Sequence, residues 1–308
     1  MKIVFLDAST MGDTPLDEIA GYGELVCYAT STKEEAMERV RDCEVLIVNK
    51  VKVDSALIGS APKLRLICEA ATGVNNIDLT AAAAHGIPVR NVAGYSTDSV
   101  AQETFMHILS LAGSGPYFDD AVKSGSYSGS GLFTDVSHPF YELTGKTLGV
   151  IGMGAIGHKV ASIAEAFGMN VIYYSTSGTS HCKDYPSVPL DELMSVSDVI
   201  SVHAPYNERT AGLVSDKELR LMKPSAFIVN MGRGGIIDES ALATAVDEDR
   251  IGGAALDVFV TEPVPLDNPL LHTRHPEKLR FTPHTAWASI EARARLAHCI
   301  AENIGNSL

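Results

Sequence analysis

The run Leu148-Gly149-Val150-Ile151-Gly152-Met153-Gly154-Ala155-Ile156-Gly157 constrains this chain more than any other. An apolar, strand-like segment leads straight into G-x-G-x-x-G. A helix-like stretch follows, and a second apolar segment, Asn170 to Tyr174, closes the unit. That is the context in which glycines at this spacing cradle a dinucleotide. The first permits a tight turn, the second lets backbone approach a pyrophosphate, and the third lets the helix pack close to the sheet. The helix then turns free N–H groups and its positive dipole end toward the phosphates. Gly152, Gly154 and Gly157, with Ala155 and Ile156 opening the helix, are therefore candidate cofactor-binding residues. The plainer alternative is a packing turn in an ordinary α/β unit.

A chain of 308 residues exceeds one typical domain, so two are expected. Its hydrophobic fraction, 45%, suffices for sizeable cores. A formal net charge of -14 argues against nucleic acid or an anionic membrane as partner, because either would need a basic surface. No apolar run reaches the length of a membrane span, and the N-terminal Met1 to Asp7 reads as a first strand rather than a signal peptide. The five cysteines (Cys27, Cys43, Cys68, Cys182, Cys299) are scattered and form no C-x-x-C pair. They fit buried thiols in a reducing compartment better than disulfides or a metal site, so a cytoplasmic location without a bound metal is expected.

Short apolar runs alternate with helical segments throughout, which argues for parallel sheets covered by helices. In the first portion the expected strands are Lys2 to Leu6, Glu24 to Tyr28, Val45 to Val48, Leu64 to Cys68 and Pro88 to Val92. No glycine-rich turn follows the first of them, so this half is not the nucleotide domain. Ser99 and Gln102 have the spacing of a capping box for a helix over Val100 to Leu111. Gly125 to Gly131 reads as a linker, and the long irregular stretch around it is expected to be covered by a partner subunit. The second portion offers strands at Thr147 to Ile151, Asn170 to Tyr174, Val199 to His203, Ala226 to Asn230, Gly253 to Asp257 and Leu279 to Phe281. Six strands are the number in a complete dinucleotide-binding sheet. A final helix, Ile290 to Ile304, would return to the first domain and leave a cleft between the two.

Four further stretches are specific: Ala71-Thr72-Gly73-Val74-Asn75-Asn76-Ile77-Asp78, Asn230-Met231-Gly232-Arg233-Gly234-Gly235-Ile236-Ile237-Asp238, Gly253 to Phe259 with Glu262-Pro263 behind it, and Thr282-Pro283-His284-Thr285-Ala286-Trp287. Together with the glycine turn they resemble the D-isomer-specific 2-hydroxyacid dehydrogenase family over nearly the whole chain. The Thr72 to Asp78 loop, Gly94-Tyr95-Ser96-Thr97 and His284 to Ser289 most resemble its glycerate dehydrogenase (hydroxypyruvate reductase) branch. The resemblance implies a two-domain α/β fold in which a Rossmann-type dinucleotide-binding domain (99–286) is inserted into a flavodoxin-like substrate domain (1–98 plus 287–308). It also implies a homodimer, with the region from Val100 to Tyr141 compatible with the interface.

By that resemblance Arg233, Glu262 and His284 form the catalytic set. Reduction of a 2-oxo acid needs hydride at C2 and a proton on the carbonyl oxygen. His284 suits the second task because imidazole titrates near neutral pH. Glu262 would orient the ring and favour its protonated form. Arg233 offers a planar fork to the substrate carboxylate and polarises the ketone. Taken singly, each has an ordinary reading: a surface histidine, turn chemistry before a proline, a solvated arginine. All three follow expected strand ends, where open α/β sheets bind ligands.

The substrate carboxylate is expected also to meet backbone N–H groups of Thr72, Gly73 and Val74, and Thr72 is a candidate on the cofactor side as well. Lys50 would add positive charge there, or would be an ordinary surface lysine. Asp257 resembles the family's aspartate near the nicotinamide amide. Ala204, Pro205 and Thr210 resemble the loop over the adenosine side, and Met231, Gly232, Arg233, His284 and Ala286 complete the cofactor candidates. Trp287 packs beside the substrate or fills the domain junction.

One position departs from the pattern. The acid expected at the end of the second strand, for the ribose 2′-OH, is replaced by Ser175. Hydroxyls of Ser175, Thr176 and Ser177 could hydrogen-bond a 2′-phosphate, yet no arginine follows directly and the nearest lysine is Lys183. NAD is favoured on that ground, with NADP open. The expected activity is reversible reduction of hydroxypyruvate or glyoxylate to D-glycerate or glycolate. D-lactate or a bulkier 2-hydroxy acid is the alternative within the class, and a non-catalytic dinucleotide-sensing interaction protein the alternative outside it. Phosphoglycerate is disfavoured by the absence of an extra cationic cluster and of a further domain after Ile304.

Overall fold

The computed structural model describes residues 1–308, which separate into two compact units: Met1–Ser96 with Ala288–Leu308, and Thr97–Trp287. In the first unit β1 (Lys2–Phe5), α1 (Asp17–Ala20), β2 (Glu24–Cys27), α2 (Lys33–Arg39), β3 (Val45–Val48), α3 (Ser55–Gly59), β4 (Leu66–Glu69), α4 (Leu79–Ala84) and β5 (Val89–Arg90) alternate. The strands pair in parallel in the order β2-β1-β3-β4-β5, the flavodoxin-like arrangement. β3 and β4 are buried at every position, as strands covered on both faces must be. Helices begin where a short acceptor side chain can take an orphan N–H: Thr32 from Glu35, Asp54 from Leu57, Asp78 from Ala81.

Glu69 ends β4 with no exposure at all. One of its carboxyl oxygens accepts from Asn76 Nδ2 at 2.9 Å, and the other has no partner. Burial pushes its pKa up to about 8. Between about pH 4.5 and 8 the folded protein therefore holds a proton that the unfolded chain has released. Stability falls as pH rises through that window, by at most about 1.4 kcal/mol per pH unit for one group. Glu69→Gln should remove this slope. Urea titrations should find the variant close to wild type at pH 5 and clearly more stable at pH 9.

The second unit opens with α5 (Thr97–Ala112), α6 (Gly115–Lys123) and α7 (Ser126–Ser130), then runs β6 (Thr147–Ile151), α8 (Ala155–Ala166), β7 (Asn170–Tyr174), α9 (Leu190–Val196), β8 (Val199–Val202), α10 (Asp216–Leu219), β9 (Phe227–Asn230), α11 (Glu239–Asp247), β10 (Gly253–Leu256) and β11 (Leu279–Phe281). α12 (Ile290–Ser307) belongs to the first unit, where it packs on β4 and α1 and buries Leu296, Ile300 and Ile304 on one stripe.

Two details differ from the sequence reading. α5 starts at Thr97, so Ser99 lies in its first turn rather than at a cap. The Ser99 hydroxyl instead donates to the carbonyl of Ala286 at 2.5 Å. The Gly125 to Gly131 stretch is not an open linker but carries α7, one short turn of helix between left-handed glycines. The sheet order is β11-β10-β9-β8-β6-β7, all parallel. The usual dinucleotide-binding order has one more strand beyond the second. Here that place is taken by a single parallel bridge, Tyr173 to Ser187. Pro186, which has no N–H to give a ladder, limits the pairing to Tyr173 N to Pro186 O and Val188 N to Tyr173 O, both 2.9 Å.

Candidate active site

Strand order reverses between β6 and β8, and in open α/β sheets ligands bind beyond the carboxyl ends at such a point. The glycine turn leaves β6 there. Gly152 has φ +94°, and a Cβ on it would lie 2.9 Å from the backbone N and Cα of Ala204, in the loop after β8. A Cβ on Gly157 would collide with the carbonyl of Gly152. Gly154 is different, since nothing lies within 4 Å of where its Cβ would be. It caps α8 without a side-chain hydrogen bond, so the N–H groups of Ala155, Ile156 and Gly157 remain unclaimed. Two glycines are demanded by packing, while the third leaves an open approach to an uncapped helix N-terminus. The residues present fit a pyrophosphate.

The loop after β8 is built from within. Thr210, fully buried, donates its hydroxyl to Pro205 O at 2.7 Å and accepts from Asn207 N at 2.8 Å. These bonds fix the shape of the Ala204-Pro205 loop. His203, before that loop, shares a 2.7 Å hydrogen bond with Ser201 through Nε2, and its buried Nδ1 has no partner. Burial pushes its pKa down to about 3, so the ring is neutral.

β9, β10 and β11 are neighbours, with Leu256 opposite Asn230 on one side and Phe281 on the other. Adjacent strands lie about 4.8 Å apart. The loops that leave their carboxyl ends carry Arg233, Glu262 and His284, which brings three side chains distant in sequence to one edge of the sheet. Gly234 tightens the arrangement, because a Cβ there would collide with the carbonyl of Phe259. Only glycine lets the Arg233 loop lie backbone to backbone against the loop leading to Glu262.

His284 Nδ1 donates to Glu262 Oε2 at 2.6 Å. Glu262 is fixed from its other oxygen, which accepts from Phe259 N at 3.0 Å. With Nδ1–H committed, Nε2 is the ring atom left for a reacting group. His284 sits at φ +56°, a left-handed conformation uncommon outside glycine, though histidine is among the residues that adopt it. Such a conformation persists where the surroundings over-determine it.

Asp257 supplies that constraint. It is 1% exposed; its carbonyl accepts from His284 N at 2.8 Å, and its carboxylate accepts from Thr285 N at 2.7 Å, Ala286 N at 3.0 Å and Thr282 Oγ1 at 2.7 Å. Because the Thr282 hydroxyl spends its proton on Asp257, the 3.1 Å contact with His107 Nε2 must be donated by the histidine. Burial pushes the Asp257 carboxyl up to about 6, against the pull of these donors, and burial likewise lowers His107. Asp257, a cofactor candidate in the sequence, is thus already occupied in holding the His284 loop, and Ala286 is buried with its N–H and C=O both bonded within the unit. Asp257→Ala orphans two backbone donors and a hydroxyl. It should lower stability by about 3 kcal/mol in chemical denaturation.

Arg233 is held by a residue that sequence reasoning passed over. Asn230 accepts from Gly232 N and donates to Arg233 O, both at 3.0 Å. The guanidinium donates to Gly232 O at 2.8 Å and pairs with no carboxylate. A half-buried guanidinium without an anion, in so acidic a chain, is available to an anionic ligand. Glu239 braces the same edge from α11, accepting from Val260 N at 2.7 Å and Asn268 Nδ2 at 2.6 Å. Met231 and Gly232 are buried beneath the turn.

The remaining candidates lie in the first unit. Lys50 follows β3 and lines a cleft of about 490 Å³ with Asp7, Ser9, Ser31 and Lys33. Asp7 stiffens that cleft by accepting from the backbone N–H groups of Asn49, Lys50 and Val51 at 2.6–3.2 Å. Thr72 donates to Val92 O at 2.9 Å, and its own carbonyl accepts from Asn91 Nδ2 at 2.6 Å. The Thr72-Gly73-Val74 loop is pinned at its first residue.

A doubly wound sheet with a phosphate-ready glycine turn, and a histidine–carboxylate pair at the same edge, is the architecture of a dinucleotide-dependent enzyme with an acid–base group. Residues 105–286 match the family model for the D-isomer specific 2-hydroxyacid dehydrogenase, NAD binding domain. A putative 2-hydroxyacid dehydrogenase of Haemophilus influenzae is 38% identical over 99% of this chain and 97% of its own length. A glycerate dehydrogenase of Methylorubrum extorquens is 35% identical over 98% of this chain and 95% of its own. Among solved structures, a D-lactate dehydrogenase from Aquifex aeolicus, complexed with NAD and lactic acid, superposes with a TM-score of 0.85 at 29% identity, over 98% of this chain and 94% of that one. The chain belongs to the D-isomer-specific 2-hydroxyacid dehydrogenase family. It is an enzyme that interconverts 2-oxo and 2-hydroxy acids with a nicotinamide dinucleotide. No helix is long and apolar enough to cross a membrane.

Proposed function

We propose that the protein reduces hydroxypyruvate and glyoxylate to D-glycerate and glycolate, with His284 as the proton donor. The observation that carries this reading is the 2.6 Å bond from His284 Nδ1 to Glu262 beside an arginine free of carboxylates. Hydride for C2 is what a reduced nicotinamide supplies when bound, and the glycine turn with the uncapped end of α8 would hold its pyrophosphate. Arg233 binds the substrate carboxylate and polarises the ketone oxygen. His284 Nε2 delivers the proton to that oxygen as it gains charge, and Glu262 keeps the ring aimed. In the first unit, the pinned Thr72-Gly73-Val74 loop is read as a source of carboxylate-binding N–H groups, and Lys50 as an added positive charge. The relative named a glycerate dehydrogenase supports the choice of substrate.

The test is a panel of 2-oxo acids assayed with both reduced cofactors. Hydroxypyruvate and glyoxylate should give the highest kcat/KM; a clear lead for pyruvate would move the assignment to lactate, and no turnover of any would remove it.

A homodimer through the region from Val100 to Tyr141 belongs to the same proposal. Phe133 is 96% exposed, and Leu132, Val136 and Phe140 beside it are open as well, a cost that a second copy would relieve. Light scattering should return twice the 32.8 kDa chain mass. All five cysteines are free, and burial pushes Cys43 and Cys68 up to about 12, which suits a reducing, cytoplasmic setting.

A further inference from the structure

Ser175 stands where a ribose-binding acid is usual, and no cation follows it directly in the chain. The fold supplies one from elsewhere. Gly152 N donates to Tyr174 O at 3.1 Å, which ties the pyrophosphate turn to the end of β7 and sets Ser175 beside it. Arg209, in the loop after β8, reaches over the turn that Ser175 begins. Its Nη1 donates to Ser177 O at 2.5 Å and would lie 3.4 Å from a Cβ on Gly178. That is the single hydrogen bond its guanidinium makes, and no carboxylate pairs with it. Most of its donor fork is therefore free. The Arg209 backbone is fixed in turn, its N–H donating to Asn207 Oδ1 at 2.9 Å.

The hydroxyls around it are gathered in the same way. Ser175 Oγ lies 3.1 Å from Ser177 Oγ, and both donate to Thr179 O, at 2.6 and 2.9 Å. From Ser175 to Ser180 the turn contains no acid. A ribose diol finds no carboxylate to accept its protons here. A dianion finds an arginine fork, two rotatable hydroxyls and no acid within the turn itself.

We propose that Arg209, Ser175 and Ser177 form a 2′-phosphate pocket, and that the protein takes NADP(H) in preference to NAD(H). This rests on reading the glycine turn as a dinucleotide site. The argument for NAD from the sequence depended on a missing cation, and Arg209 fills that place from a loop more than thirty residues downstream.

The experiment is a binding titration that needs no turnover. NADPH, NADH, 2′,5′-ADP and 5′-ADP are titrated calorimetrically against wild type, Arg209→Glu and Ser175→Asp, with melting temperatures recorded for all three proteins. Wild type should bind NADPH about 10- to 100-fold more tightly than NADH, as loss of a charged hydrogen bond implies, and 2′,5′-ADP more tightly than 5′-ADP. The preference should shrink steeply with added salt. Arg209→Glu, at an exposed position, should reverse it with little change in melting temperature, and Ser175→Asp should do so independently. Equal affinities in wild type, or an unchanged ratio in both variants, would overturn the pocket while leaving the dinucleotide site intact. Failure of wild type to bind any of the four ligands would overturn both.

Discussion

His284→Asn leaves the protein folded and able to bind its dinucleotide, while kcat for the preferred 2-oxo acid falls about 10³-fold, within the range usual for a lost general acid. Asparagine is the informative replacement because it also accepts a left-handed backbone, and His284 has φ +56°. Alanine would add strain to the loss of the ring and blur the two effects. KM should change little, since the proton is delivered only as charge develops on the oxygen. Glu262→Gln keeps the size of its 2.6 Å partner but removes the charge that orients Nδ1–H, and should cost about 10²-fold. The double variant should be scarcely worse than His284→Asn alone, because a carboxylate that acts only through the ring has nothing to orient once the ring is gone. Steady-state kinetics with melting temperatures decide it. A kcat within about tenfold of wild type for His284→Asn would assign the proton to another group.

The fold was legible because its signals are local. Strand bounds such as Val45–Val48, Asn170–Tyr174 and Leu279–Phe281 follow from short apolar runs between turn residues, and the period change to helix lies inside each segment. The edge of the second sheet was not legible, since Lys183 to Val188 has strand-like neighbours and only the proline decides how little of it pairs. At the site, the sequence pointed to residues standing just after strand ends. It could not show what holds them, because most of those contacts join segments far apart in the chain: Asp257 to the 282–286 loop, Thr282 to His107, Glu239 to Val260. In each the partner is chosen by topology, and nothing in composition or spacing names it. Arg209 was missed for the same reason. Only the parallel pairing of β7, β6 and β8 puts the loops after β7 and β8 side by side.

Arg233→Lys should lower kcat/KM about 10³-fold even though the charge is kept, and Arg233→Ala at least as much. The guanidinium makes one hydrogen bond, to Gly232 O at 2.8 Å, and faces no carboxylate, so its remaining donors are available in a fixed plane. A substrate carboxylate can meet two of them at once, which an ammonium on a flexible stem cannot reproduce. Truncating one member of a desolvated charge pair costs about 2–5 kcal/mol, and the upper part of that range corresponds to about three orders of magnitude. The position is also rigid. Asn230 grips the backbone on both sides of Gly232, and Gly234 locks the loop against Phe259, so the turn cannot shift to bring a shorter reach into place. If the arginine only binds the carboxylate, the loss falls on KM, and kcat recovers at saturating substrate. If it also stabilises the oxyanion, kcat falls too, and added guanidinium should partly restore Arg233→Ala but not Arg233→Lys, whose side chain still occupies the site. Retention of KM and kcat in Arg233→Lys would show that the substrate carboxylate is held elsewhere.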